Sequence, residues 1–153
     1  MRIVALIPAH NEAERIAATV AGASRIETLS RVLVIDDGSS DATTDRARQA
    51  GAEVLTLERN VGKGDALQAG LDLVRGDADI IVLLDADLGD SASHGVALIG
   101  PVVSDEADMT IAILPKPPGS GGFGLVKGLA RSGSGSVGRR RNWRKRPASI
   151  RPM

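Results

Sequence analysis

The 153-residue chain contains no cysteine, which excludes disulfides and thiolate metal centres. Phe123 and Trp143 are its only aromatic residues, so the core has to be built from Val, Ile, Leu and Ala. No apolar run approaches the ~18 residues needed to cross a bilayer. The start, Met1-Arg2-Ile3-Val4, enters a strand pattern directly, without signal-peptide architecture. A cytoplasmic protein is therefore expected, with peripheral contact to the inner face of a membrane as a further option. Acidic residues stop at Asp108, while Lys116, Lys127, Arg131 and a dense cluster from Arg139 lie beyond it. The formal net charge of zero thus conceals an acidic domain followed by a basic extension.

What is present is a β-α alternation. Arg2 to Ile7 reads as a strand halted by Pro8, and Asn11 with Glu14 forms a capping-box pattern ahead of a helix carrying Ile16 and Val20. A strand over Arg31 to Ile35 ends in Asp36-Asp37-Gly38, and Ser39-Ser40-Asp41 opens a helix to about Ala50. Glu53 to Leu57 forms a short strand. Asn60-Val61-Gly62-Lys63-Gly64 is a glycine-bearing loop before a helix that runs towards Val74. The run Asp79 to Asp87 is read as a buried central strand, with a helix over Gly95 to Val103 and a fifth strand over Met109 to Leu114 to follow. Such alternation predicts an α/β fold with a doubly wound, mostly parallel sheet. The division expected is a domain over residues 1–131, then a Gly/Ser linker and a disordered basic tail over residues 132–153.

The chemistry collects where strands end. Asp85 and Asp87 stand two apart, and on an extended chain such residues point to the same side. Two close carboxylates repel unless a cation neutralises them. A hard divalent ion with positions open to phosphate oxygens, Mg2+ or Mn2+, suits them, although both could also serve as helix or turn caps. The ends of the first three strands are also polar or glycine-rich. A dinucleotide site would need a G-x-G-x-x-G turn after the first strand, which has no glycine, and Gly62-Lys63-Gly64 lacks P-loop spacing.

The set PAHNE, VIDDGSSD, NVGKGDAL and LLDADL resembles the donor-binding half of family 2 glycosyltransferases with the GT-A fold. Within that family it is most similar to polyprenyl-phosphate mannosyl- or glucosyltransferases and to enzymes of the glucosyl-phosphoglycerate synthase type. The resemblance spans about Arg2 to Arg131. It implies a nucleoside pocket lined by Pro8, Ala9, Asn11 and Glu12, with Glu12 accepting from ribose hydroxyls. It places Asp37 against base or ribose with Asp36 behind it, and Lys63 against base or diphosphate. Asp85, Ala86 and Asp87 match the D-x-D motif, whose two carboxylates hold the metal on the diphosphate of a UDP- or GDP-linked sugar. Plainer roles remain for several of these residues: Glu12 in a first helical turn, Asp36 in the Gly38 turn, Lys63 as a solvated helix start. His10 departs from the family's usual aromatic residue, and His94 reads as a surface residue.

No catalytic residue is assigned, since no Asp or Glu after Asp108 could act as a base. A polyprenyl phosphate acceptor needs none, because it is already an anion, and Lys116, Lys127 and Arg131 are candidates to hold its phosphate. The family's acceptor-binding half is expected to be missing after Arg131. A nucleotide-sugar-binding remnant without turnover is therefore an alternative. Nucleic-acid binding by Arg139 to Arg146 around Trp143 ranks below a plain solvated tail.

Overall fold

The computed structural model describes residues 1–112. Four parallel strands form one sheet in the order β3-β2-β1-β4, from β1 (Ile3–Ala9), β2 (Arg31–Asp36), β3 (Glu53–Thr56) and β4 (Ile80–Leu83). They are joined by α1 (Ile16–Ser24), α2 (Thr43–Gln49) and α3 (Lys63–Val74), and followed by a 3-10 helix (Gly89–Gly95) and α4 (Val96–Val103). No helix among the described residues is long and apolar enough to cross a membrane.

Strand β1 is the axis of the core because both of its faces are covered. Ile3, Ala5, Ile7 and Ala9 face a cluster with Ile16, Val20 and Ala23 of α1, Ala47 of α2, Ala92 and Ile99. Val4 and Leu6 face the other way, into a cluster with Leu33, Ile35 and the α3 residues Ala66 and Val74. The two-residue period thus sends alternate side chains into two layers. Helix α3 lies close on the sheet because Gly70 has no side chain: a Cβ there would stand 2.7 Å from Ile35 Cγ1.

Several boundaries differ from those expected. Strand β1 does not stop at Ile7 but runs through Pro8, which pairs in register with Ile35. The carbonyl of Leu6 accepts from Leu84 and that of Ala9 from Asp37, so by alternation the missing N–H of Pro8 faces the β4 side, where β4 has already ended. The run expected as a buried central strand is the edge of the described sheet. Its Val82 and Leu84 pack into the α1 layer, but Leu83 is 54% exposed and Ile81 36%, because α3 covers β1 and β2 instead. A fifth strand is absent from the described part of Met109–Leu114. Residues 109–112 are irregular, and the Thr110 hydroxyl donates to the Leu98 carbonyl at 2.6 Å rather than joining a ladder. The expected Asn11 cap is absent too: α1 starts at Ile16 with no side-chain cap, and Asn11 adopts φ 54° in the preceding loop. The linker and tail lie outside the described residues.

Candidate functional site

Register brings the C-terminal ends of β1, β2 and β3 to one level, while β4 ends three residues short of it, at Leu83 opposite Leu6. Ala9 pairs with Asp36, and Asp36 with Thr56. Beyond them opens a cleft of about 480 Å³ lined by Pro8, Ala9, His10, Glu12, Asp37, Asn60, Gly62, Lys63, Asp85, Ala86 and Asp87. This is the edge at which open parallel sheets bind ligands.

Two loops are fixed by Asp36, the last residue of β2, and Asp37 just after it, and the two play different parts. Asp36 is buried, and accepts from the Ser39 amide at 3.0 Å and from the Thr44 hydroxyl. It holds the turn and does not line the cleft. Asp37, only 3% exposed, accepts from the amides of Val61 at 2.7 Å and Gly62 at 2.9 Å, and so ties the loop before α3 to the end of β2. Gly38 makes this approach possible: its φ is +65°, and a Cβ would lie 2.5 Å from the Arg59 carbonyl carbon. Gly62, at φ +94°, then turns the chain so that Lys63 begins α3 at the rim of the cleft. Lys63 and the amino end of α3 together favour anions there.

Asn11 lies outside the cleft lining and acts as a brace between loops. Its amide donates to Ser39 Oγ at 2.9 Å, and its Oδ1 accepts from the Ser40 amide at 2.9 Å. Glu12 is held by donation of its backbone amide to Thr43 Oγ1 at 2.8 Å, and the residue lines the cleft. Below it, Asp41 accepts from the buried Thr43 and from the Ala13 amide, and the Thr43 hydroxyl bond holds its carboxyl below the usual carboxylate range.

The acidic pair does not sit on an extended strand. Strand β4 ends at Leu83 and Asp87 lies in a turn, so the simple two-residue alternation no longer governs the pair. Each carboxylate instead meets its own cation. Lys63 Nζ pairs with Asp85, while an Arg15 Nη atom lies 3.8 Å from Asp87 and 3.9 Å from Glu12. Among the described residues no three His, Asp or Glu side chains gather as a metal cage. Two carboxylates fit a divalent ion whose remaining positions are filled by ligand phosphate and water, a common way for Mg2+ to be held. Asn60 opens the NVGKGDAL motif without a role assigned to it from sequence, and Arg15, three residues past PAHNE, is not singled out there at all. Lys116, Lys127 and Arg131 lie outside the described residues.

A family model for glycosyl transferase family 2 matches residues 4–148. The chain belongs to that family. The match runs past Arg131, the end of the resemblance drawn from motifs. Among curated proteins, this family 2 chain is 31% identical over 127 residues to an undecaprenyl-phosphate 4-deoxy-4-formamido-L-arabinose transferase of Serratia proteamaculans, covering 70% of this chain and 38% of that protein. The corresponding enzyme of Edwardsiella ictaluri is 29% identical over 123 residues, or 67% of this chain and 37% of the relative. Among solved structures, glucosyl-3-phosphoglycerate synthase from Mycobacterium tuberculosis, in complex with Mn2+, UDP and glucosyl-3-phosphoglycerate, superposes with a TM-score of 0.61. It is 31% identical, over 67% of this chain and 40% of that one. The chain therefore matches well under half the length of these relatives, and the sheet it shares with them is the GT-A α/β fold.

Proposed function

We propose that the cleft binds a nucleoside-diphosphate sugar of the UDP- or GDP-hexose type and presents it for glycosyl transfer to an acceptor that carries a phosphate. The observation that carries this reading is the convergence in one cleft of Glu12, the Asp37-anchored loop, Lys63 and the Asp85-Ala86-Asp87 turn. Support comes from the family, and from relatives whose names specify undecaprenyl phosphate or phosphoglycerate chemistry. Both acceptor types bear a phosphate, and a lipid phosphate attacks without prior deprotonation.

The roles follow from position. Pro8, Ala9 and His10 form the floor against which a nucleoside would lie, and Glu12 would accept from its ribose hydroxyls. Asp37 would act chiefly by fixing the loop, with lone pairs left over for base or ribose. Lys63 would exchange its Asp85 partner for a diphosphate oxygen and offset the charge that grows as the anomeric C–O bond breaks. Asp85 and Asp87 would hold Mg2+ or Mn2+, which when bound supplies Lewis-acid stabilisation of the departing diphosphate. Solved relatives contain UDP with Mn2+ or Mg2+, in keeping with that assignment.

The test is a thermal-shift panel of UDP-glucose, GDP-mannose, UDP and GDP, each with and without Mn2+. A ligand bound only by the folded state raises the melting temperature. The expected result is a metal-dependent rise for one nucleotide family. No rise from a cooperatively folded sample would overturn the reading, and turnover assays with and without polyprenyl phosphate or phosphoglycerate would separate transfer from binding alone.

A further inference from the structure

One face of α1, with the residues that flank it, runs along the segment from Ala86 to Asp90. Arg15, Thr19 and Gly22 follow at i, i+4 and i+7, the spacing that places side chains above one another on a helix. Arg15 reaches Asp87. Gly22 allows contact so close that a Cβ would stand 2.7 Å from the Gly89 carbonyl oxygen. Between them Thr19 is fully buried. Its hydroxyl donates to the Ala86 carbonyl at 2.7 Å and accepts from the Gly89 amide at 2.8 Å. One hydroxyl therefore closes the loop that carries both aspartates, bonding the residue between them and the residue two beyond Asp87. One turn further on, Arg25 binds Asp90 at 2.7 Å and secures the exit of the same segment.

We propose that Thr19 is the positioning residue of the Asp85-Ala86-Asp87 turn, so that α1 sets the geometry in which the two carboxylates meet a divalent cation. The physical case rests on orientation. The turn lies beyond the end of β4, so no ladder fixes it, and both carboxylates are on exposed side chains. The Ala86 carbonyl and the Gly89 amide are backbone groups of this segment, and a single buried side chain holds them both. Groups behind metal ligands orient those ligands, and their removal typically costs about tenfold to a hundredfold in metal affinity. Thr is suited to this because its β-branch restricts χ1 while its oxygen both donates and accepts.

This inference rests on the reading of the cleft as a metal-assisted nucleotide site, and its test separates the two. UDP affinity is measured calorimetrically on the full 153-residue chain, with saturating Mn2+ and with chelator, for wild type, Thr19→Val and Thr19→Ser. Val keeps the shape and loses the hydroxyl, whereas Ser keeps the hydroxyl. The ratio of the two affinities should fall about tenfold or more in Thr19→Val and recover in Thr19→Ser, with the metal-free affinity unchanged in both. A purely structural role would lower the melting temperature without moving that ratio. A folded Thr19→Val with the wild-type ratio would overturn the assignment alone. A wild-type chain with no metal-dependent gain would overturn the metal reading of the cleft and this inference with it. If Thr19→Val does not fold, Thr19→Ala makes the same comparison.

Discussion

Asp37 and Gly62 are 25 residues apart in sequence, yet the Asp37 carboxylate accepts the Gly62 amide proton at 2.9 Å and the Val61 amide at 2.7 Å. The bond makes the end of β2 and the start of α3 one unit, and Lys63 takes its place from it. Asp37→Asn turns one acceptor into a donor facing an N–H. It should destabilise the fold by about 1–3 kcal/mol, the usual cost of a buried polar group left without its partner. Nucleotide binding should weaken as well, since Lys63 loses its fixed start. Urea denaturation and UDP titration check the two parts.

Lys63 and Asp85 should behave in the opposite way. Both are more than half exposed, so their ion pair contributes less than about 1 kcal/mol to stability. Lys63→Gln and Asp85→Asn should therefore melt close to wild type while losing metal-dependent nucleotide binding. Thermal melts with and without UDP and Mn2+ read both properties from one sample.

At the opposite edge of the sheet, Arg31 clasps Glu53 through two bonds, Nε to Oε1 at 2.8 Å and Nη2 to Oε2 at 2.6 Å. The Arg31 guanidinium lowers the Glu53 carboxyl from its ordinary 4.5. A carboxylate lowered on folding stabilises the protein fully above its unfolded value, and the contribution is lost as pH falls through the lower, folded one. Glu53→Gln should therefore be less stable than wild type at neutral pH by under about 1 kcal/mol, since Glu53 is largely exposed. The two should converge below pH 4.5. Melting curves from pH 7 to 3 test the sign.

Gly38→Ala should be among the most damaging single changes in the loops. It combines an unfavourable φ of +65° with a Cβ 2.5 Å from backbone, so the loss should reach about 2 kcal/mol or more, with displacement of the 59–62 loop. Denaturation midpoints compared with Gly64→Ala, where a Cβ meets open space, isolate the effect.

Ile81 and Leu83 lie on a strand edge without a described neighbour, and Leu73 of α3 is half exposed nearby in sequence. Apolar edges of this kind invite pairing between chains. Leu83→Lys should shift the size-exclusion profile towards monomer with little change in melting temperature. A wild-type chain that is already monomeric at high concentration would count against that expectation.

The alternation of strands and helices was legible because local pattern and core membership coincide in β1, β2 and α3. The polar strand ends were legible too, and the structure gathers Glu12, Asp37, Lys63, Asp85 and Asp87 at one cleft. What escaped depends on neighbours distant in sequence. Ile81 and Leu83 look as buried as Val4 and Leu6 when only composition is read, and the placement of α3 is what separates them. Asn11 satisfies the pattern of a cap, but its side chain is taken by Ser40, 29 residues away. Thr19 gives no signal at all, since its partners lie 67 and 70 residues further on.

The seat of α3 on Ile35, which Gly70 allows, gives the cleft a fixed gauge. With the helix resting directly on the sheet and its start tied to Asp37, the span from its first turn to the end of β4 is set by backbone and hardly adjusts to a guest. A ligand one phosphate longer or shorter would meet the same frame, and the flexible stem of Lys63 would have to absorb the difference. Discrimination between mono-, di- and triphosphates should accordingly be steep, and steeper still in Lys63→Arg, where a rigid guanidinium fork on a shorter aliphatic stem replaces the flexible one.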